Sequence, residues 1–223
     1  MEPSLQCLNE AMEKNPKLNY DTYPYNAFST YISSTVFDEG CLEAWGKDYS
    51  DLLLTDEPYK NVRCTEEIFR ECREKYPNML VVAFVMNEAE IAAAIANKHG
   101  MVASDGIINH GNGHPRAAGT FPRVLGKYVR EDKVLTLIDA LRKMTLEPAK
   151  RLLMENRKGV IKEGADADLT IFDPETILDG ATFAELDIAP TGIDYVIVNG
   201  KLAMDHNEMK SETYGKFISY FEK

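Results

Sequence analysis

The spacing of apolar residues predicts a succession of helices and strands that begins near the N-terminus. Leu5, Leu8 and Met12 recur at helical spacing, so residues 4–14 are expected to form an amphipathic helix. Residues 18–25 are expected to form a strand that runs into a loop containing a proline. The chain is therefore expected to mix both kinds of element from its first residues.

The middle of the chain carries stronger signals. A helix is expected over Thr65–Tyr76, where Thr65 can cap the N-terminus. Met79–Met86 is a continuous apolar run, which is typical of a strand buried on both faces of a parallel sheet. Asn87 is expected to cap a helix that reaches Asn97, and the next strand follows over Met101–Ser104. The pattern predicts a right-handed strand–helix–strand unit.

The last third of the chain changes character. Residues 134–154 predict two helices with a break near Glu147-Pro148. Residues 167–173 predict a short strand, and residues 193–204 predict a hairpin whose Asn199-Gly200 corner suits a type I′ turn.

Composition narrows the class of protein. The 223 residues carry a net charge of −11, which argues against binding to nucleic acid or anionic membranes. No apolar run reaches the length of a membrane span, and the N-terminus lacks the layout of a signal peptide. The four cysteines form no CxxC pair, so reduced thiols and a cytoplasmic location are expected.

The candidate chemistry lies after the Met101–Ser104 strand. Asp105 stands where an α/β barrel places its catalytic groups, at the C-terminal end of a strand before a glycine-rich loop, Ile107–Gly119. The same loop holds Arg116, a residue type that binds carboxylates through two hydrogen bonds. The simpler alternative is an ordinary strand end with a solvated aspartate. The arginine favours an acid–base carboxylate beside an anion-binding group.

Two further segments are distinctive. Residues 21–30 read DTYPYNAFST, whose tyrosines could simply pack as an aromatic corner. Together with VASDG and GHPRAAGTFPRVLGKYVRE, however, they resemble the N-acyl-D-amino-acid deacylases of the amidohydrolase superfamily. KEGADADLTIFDP and VIVNGKLAMD resemble strands of the small β-sandwich that flanks amidohydrolase barrels.

This resemblance implies a fold and an activity. The fold would be α/β: the C-terminal portion of a (β/α)8 TIM-type barrel over residues 1–156, then β-sandwich strands over residues 157–223. The implied activity is metal-dependent hydrolysis of N-acyl-D-amino acids. Asp105 would move protons and lie at a zinc ion, while Tyr23, Ser29 and Arg116 would hold the substrate.

The metal ligands of such an enzyme are largely missing. The family uses an HxH motif, a bridging cysteine and two further histidines, whereas this chain has only His99, His110, His114 and His206. His99 is expected at the surface after a helix, and His114 is expected to shape the loop, with a ligand role left open. The chain alone is therefore expected to be inactive. One expectation is that a companion chain carries the missing half; the alternatives are a non-catalytic remnant, a partner-binding half, or a relative of hydantoinases and dihydroorotases.

Overall fold

The computed structural model describes residues 2–219, so the ends of the two predicted regions, residue 1 and residues 220–223, lie outside it. Its α-helices are, in chain order, α1 (Glu2–Lys14), α2 (Cys41–Trp45), α3 (Glu66–Lys75), α4 (Glu88–Ala96), α5 (Arg116–Arg123), α6 (Leu137–Met144) and α7 (Leu146–Arg151). None of these described helices is long and apolar enough to cross a membrane. The predicted first helix is confirmed, as are α3 and α4 with their caps Thr65 and Asn87.

The strands form four small sheets. They are β1 (Tyr20–Thr22), β2 (Phe28–Tyr31), β3 (Leu52–Leu54), β4 (Leu80–Ala83), β5 (Gly100–Val102), β6 (Ile108–Asn109), β7 (Asn112–Gly113), β8 (Leu169–Phe172), β9 (Ile193–Val198), β10 (Lys201–Asp205) and β11 (Glu208–Met209). Among the described residues, the pair β1–β5 is parallel, while every other named pair is antiparallel.

The apolar strand β4 does not lie in a parallel sheet. It is the middle strand of the order β2-β4-β3 and runs antiparallel to both neighbours. Val81 and Ala83 face one hydrophobic cluster, while Val82 between them faces another. A strand covered on both faces gives a continuous apolar run whatever the direction of its neighbours. The predicted strand–helix–strand unit is wrong, because β4 and β5 lie in different sheets.

The parallel pair positions the candidate site. Tyr20 to Thr22 of β1 align with Gly100 to Val102 of β5, and helices α4 and α6 pack against this pair. Buried Lys143 of α6 donates hydrogen bonds to the carbonyls of Asn97 and Gly100, which holds the turn before β5. Ser104 and Asp105 follow β5 in the chain, so they lie at the C-terminal end of this parallel pair.

The segment predicted as one glycine-rich loop is largely ordered structure. Ile108–Asn109 and Asn112–Gly113 form a short hairpin, and α5 begins at Arg116. A π-helix over Val124–Glu131 continues α5 without interruption. The break between α6 and α7 falls at Thr145, before the predicted position, because Pro148 fits the first turn of α7, where its missing N–H is not needed.

The C-terminal sheet has the order β11-β10-β9-β8. The predicted hairpin is confirmed, with Asn199 and Gly200 both at positive φ as a type I′ turn requires. The connection between β8 and β9 packs back onto the helices, since Ile177 is buried in one cluster with Val124 and Tyr128.

Candidate functional site

Asp105 and Arg116 meet directly. Asp105 follows β5 with a positive φ of 45°. Gly106 then lies so close to α5 that a Cβ there would be 2.5 Å from the Cα of Ala117, so only glycine lets the turn approach the helix. Arg116 Nη2 lies 2.9 Å from Asp105 Oδ2. The fold thus brings together the two residues that the sequence singled out.

The two members of this ion pair differ in their exposure to solvent. The Arg116 side chain is 4% exposed, whereas the Asp105 side chain is 69% exposed. Arg116 Nη2 also donates to the carbonyl of Ser29 at 3.3 Å, but Nε and Nη1 have no hydrogen-bond partner among residues 2–219. Buried polar groups are nearly always paired, so two unpaired guanidinium nitrogens indicate a place for an acceptor.

Tyr23 and Ser29 complete the surroundings of Arg116. The guanidinium carbon lies 4.4 Å from the centre of the Tyr23 ring, within cation–π range. Burial raises the pKa of Tyr23, Arg116 opposes that rise and Asp105 adds to it. Tyr23 therefore keeps its proton at neutral pH. The Ser29 hydroxyl is buried without a partner in the described part of the chain.

A small cavity adjoins these groups. Its volume is about 40 Å³, and Ser29, Ile107, His114 and Arg116 are among its lining residues. This space is enough for a water molecule or one carboxylate oxygen next to the guanidinium.

His114 is a structural part of the site. Its Nδ1 accepts the backbone N–H of Arg116 at 3.0 Å, and its Nε2 pairs with the carbonyl of Ala27 at 3.1 Å. Burial first, and then the charge of Arg116, lower its pKa to about 3, so the ring is neutral. Both nitrogens contact backbone groups, so the ring ties the start of α5 to the segment that contains Ala27, as expected of a residue that shapes this region.

A second ion pair at the far end of α5 was not predicted from the sequence. Arg123 Nη1 lies 3.2 Å from Asp179 Oδ2, and its Nε donates to the carbonyl of Pro24 at 2.8 Å. Phe183 of the same C-terminal segment packs edge-on against His114, with ring centres 4.9 Å apart. No spacing in the sequence links Asp179 or Phe183 to the distant α5.

Comparison with known proteins decides the family. A model described as "Amidohydrolase family" matches residues 77–204, more than half of the chain. The chain belongs to the amidohydrolase family.

The amidohydrolase relatives are deacylases. The chain is 43% identical over 119 residues to the N-acyl-D-glutamate deacylase of Alcaligenes xylosoxydans xylosoxydans, covering 53% of this chain and 24% of that enzyme. It is 30% identical over 214 residues to the D-aminoacylase of the same organism, covering 95% of this chain and 44% of the enzyme.

Solved structures of this kind superpose on the chain. A crystal structure of N-acyl-D-glutamate deacylase from Bordetella bronchiseptica, complexed with zinc and a phosphonate inhibitor, matches with a TM-score of 0.77 at 30% identity, covering 92% of this chain and 44% of that one. A crystal structure of D-aminoacylase gives 0.80 at 30% identity, covering 95% and 44%. The chain therefore spans less than half the length of these relatives.

The described part of this amidohydrolase chain forms no metal centre of its own. Among residues 2–219 no group of three or more His, Cys, Asp or Glu side chains is placed to hold a metal ion. His110 lies in the β6–β7 turn, and His206 pairs with Asp205 on the C-terminal sheet. His99 is half-buried rather than fully exposed, since α4 ends before it and its Nε2 is enclosed. Asp105 alone does not amount to a zinc site.

Proposed function

We propose that this chain is the substrate-anchoring and proton-transferring part of a metal-dependent amide hydrolase that acts on N-acyl-D-amino acids. The observation that carries the proposal is the environment of Arg116, a buried guanidinium with two unpaired nitrogens beside Asp105. The relatives named as N-acyl-D-amino-acid deacylases support the choice of substrate.

The anchor would hold the free carboxylate of the substrate. A buried arginine with two unpaired nitrogens favours an anion strongly, because charge-assisted hydrogen bonds are about twice as strong as neutral ones. The Ser29 hydroxyl and the Tyr23 phenol can add neutral donors beside it. An N-acyl amino acid has one free carboxylate next to its amide, so fixing the carboxylate also fixes the amide.

Asp105 would transfer the proton. Its carboxylate is at the edge of the anchor and largely open to solvent, where a water molecule and the scissile amide can both reach it. It can take a proton from the attacking water and pass that proton to the departing amine, which is general acid–base catalysis. The resemblance of the surrounding motif to the deacylases supports this assignment.

The remainder of such an enzyme lies outside these 223 residues, and we propose that a companion polypeptide can supply it. We propose that residues 1–156 belong to a (β/α)8 barrel and residues 157–223 to the flanking β-sandwich, with β1 and β5 as barrel strands. A companion polypeptide would then contribute the other barrel strands and the zinc ligands, to which Asp105 could add one carboxylate. A cytoplasmic location stays a prediction.

Reconstitution tests this proposal. The purified chain is combined with the part of the A. xylosoxydans D-aminoacylase that it does not match, and zinc content and hydrolysis of N-acetyl-D-glutamate are measured. The chain alone should show neither, the assembly should gain both, and N-acetyl-L-glutamate should serve as the unreactive control substrate. Asp105→Asn should remove turnover while the assembly still forms. Robust turnover by the chain alone with added zinc would contradict the two-part enzyme.

One observation favours a second candidate, a non-catalytic partner-binding half. The described residues contain no metal-binding cluster, so the anchor could persist without catalysis. An assembly that forms but takes up no zinc and shows no turnover would support this alternative.

A further inference from the structure

The ion pair between Asp105 and Arg116 is asymmetric in a way that has functional consequences. The guanidinium is 4% exposed, and Asp105 is the carboxylate paired with it among the described residues. A buried cation without an anion is costly, so some anion is favoured at this position at all times. Asp105, with a side chain that is 69% exposed, loses little when it turns to solvent instead.

The geometry allows the carboxylate to leave while the site stays intact. The backbone of the Asp105 turn is held by the close packing of Gly106 on Ala117. The start of α5 is held separately, by the hydrogen bond from the Arg116 backbone to His114. Rotation of the Asp105 side chain alone therefore opens the guanidinium without moving either segment.

We propose that Asp105 is an internal occupant of the Arg116 anion site and that a ligand carboxylate must displace it. This autoinhibitory contact rests on the proposed function, since it assumes that Arg116 is the carboxylate anchor. The carboxylate of Asp105 stands in for the carboxylate of the ligand, and the two compete for one guanidinium.

The competition couples binding to proton transfer. When a ligand carboxylate takes Arg116, Asp105 is released from its ion pair and is free to act on water and the amide. By linkage, the factor by which a bound carboxylate favours the released form of Asp105 equals the factor by which release of Asp105 strengthens carboxylate binding. Asp105 is thus freed for catalysis when the substrate is anchored.

The test measures carboxylate binding by the full chain without metal. N-acetyl-D-glutamate is titrated into the wild type and into Asp105→Asn, with chemical-shift changes followed by NMR. Asparagine tolerates the positive φ of 45° at this position, so the fold should persist. Removing the internal competitor should tighten binding about two- to fivefold, the range expected for loss of a solvent-exposed ion pair.

Two further variants locate the effect. Asp38→Asn is the matched control, because Asp38 is a similarly exposed carboxylate that pairs with Arg73 at 2.8 Å, away from the candidate site. It should leave binding unchanged. Asp105→Asn combined with Arg116→Gln should lose the gain, since the guanidinium is gone.

The outcomes separate this inference from the proposed function. Equal binding by the wild type and Asp105→Asn, with loss of binding in the double variant, would overturn the competition and leave the anchor standing. A gain in Asp105→Asn that survives Arg116→Gln would also overturn it. Absence of binding in every variant would overturn the anchor and the competition together.

Discussion

Helix α5 begins and ends with an arginine that pairs with an aspartate, and the two pairs serve different ends. At the C-terminal end, the Asp179 side chain is 8% exposed and Arg123 also bonds the Pro24 carbonyl. At the N-terminal end, Asp105 faces solvent and Arg116 keeps two unpaired nitrogens. The first pair closes a contact within the fold, and the second leaves room for a ligand.

The difference shows that burial of the carboxylate determines whether an arginine–aspartate pair is structural or exchangeable. An enclosed carboxylate such as Asp179 cannot readily be exchanged, because separating it from its arginine would leave its charge away from water. A carboxylate in solvent can be exchanged for another anion at little cost. The buried guanidinium of Arg116 is therefore poised for exchange, while Arg123 is fixed.

The largest expected effect is a loss of stability when the pair between Asp179 and Arg123 is broken. Asp179→Ala should lower the free energy of unfolding by about 2–4 kcal/mol, because it leaves Arg123 without its partner in a largely buried place. Asp105→Ala should cost only about 1 kcal/mol, because removing this exposed side chain opens Arg116 to solvent anions. Urea unfolding with and without acetate measures both. Acetate should restore the Asp105 variant and not the Asp179 variant; equal rescue of the two would refute the distinction.

The next effect concerns His114, which joins Arg116 to the segment before Ser29. Its pKa of about 3 in the folded chain lies below the unfolded value of about 6.5, so the unfolded state binds more protons between these values. The stabilisation from neutral His114 is complete above pH 6.5 and is lost as pH falls toward 3. It should amount to about 2 kcal/mol lost by pH 5.

Unfolding measurements at pH 7 and pH 5 test this linkage. His114→Gln should lose that part of the pH dependence, since glutamine does not titrate. His206→Gln on the exposed C-terminal hairpin is the control and should keep it. An unchanged pH dependence in His114→Gln would mean that the buried ring is not the cause.

The sequence predicted the parts of this region that depend on local signals. Apolar periodicity and capping residues identified α3 and α4, and strand-end position with residue chemistry identified Asp105 and Arg116. The start of α5 was missed because Gly119 and Pro122 look like helix breakers. In the structure, a Cβ at Gly119 would collide with the Tyr25 hydroxyl, so that glycine serves packing rather than a turn.

A single sequence does not reveal which residues distant in the chain contact each other. Arg123 and Asp179 are 56 positions apart, and neither lies in a pattern that marks a partner. The direction of β4 was unpredictable for a related reason: burial on both faces fixes its composition, whereas the neighbours that set its direction are distant β2 and β3. Residue chemistry identified the exchangeable pair, and only the fold showed the fixed one.

The smallest expected effect separates ligand binding from stability at a single hydroxyl. Ser29 Oγ is buried without a hydrogen-bond partner among residues 2–219, so Ser29→Ala removes an unsatisfied group and should not lower the free energy of unfolding. If the hydroxyl donates to the carboxylate on Arg116, the variant should bind N-acetyl-D-glutamate about two- to tenfold more weakly. Thr55→Val is the contrasting control, because the Thr55 hydroxyl already donates to the Leu80 carbonyl at 2.8 Å and its loss should cost stability and not binding. NMR titration and urea unfolding of both variants give the comparison. Unchanged binding in Ser29→Ala would restrict the exchangeable site to the arginine and Tyr23, because those groups would then account for the whole of the recognition.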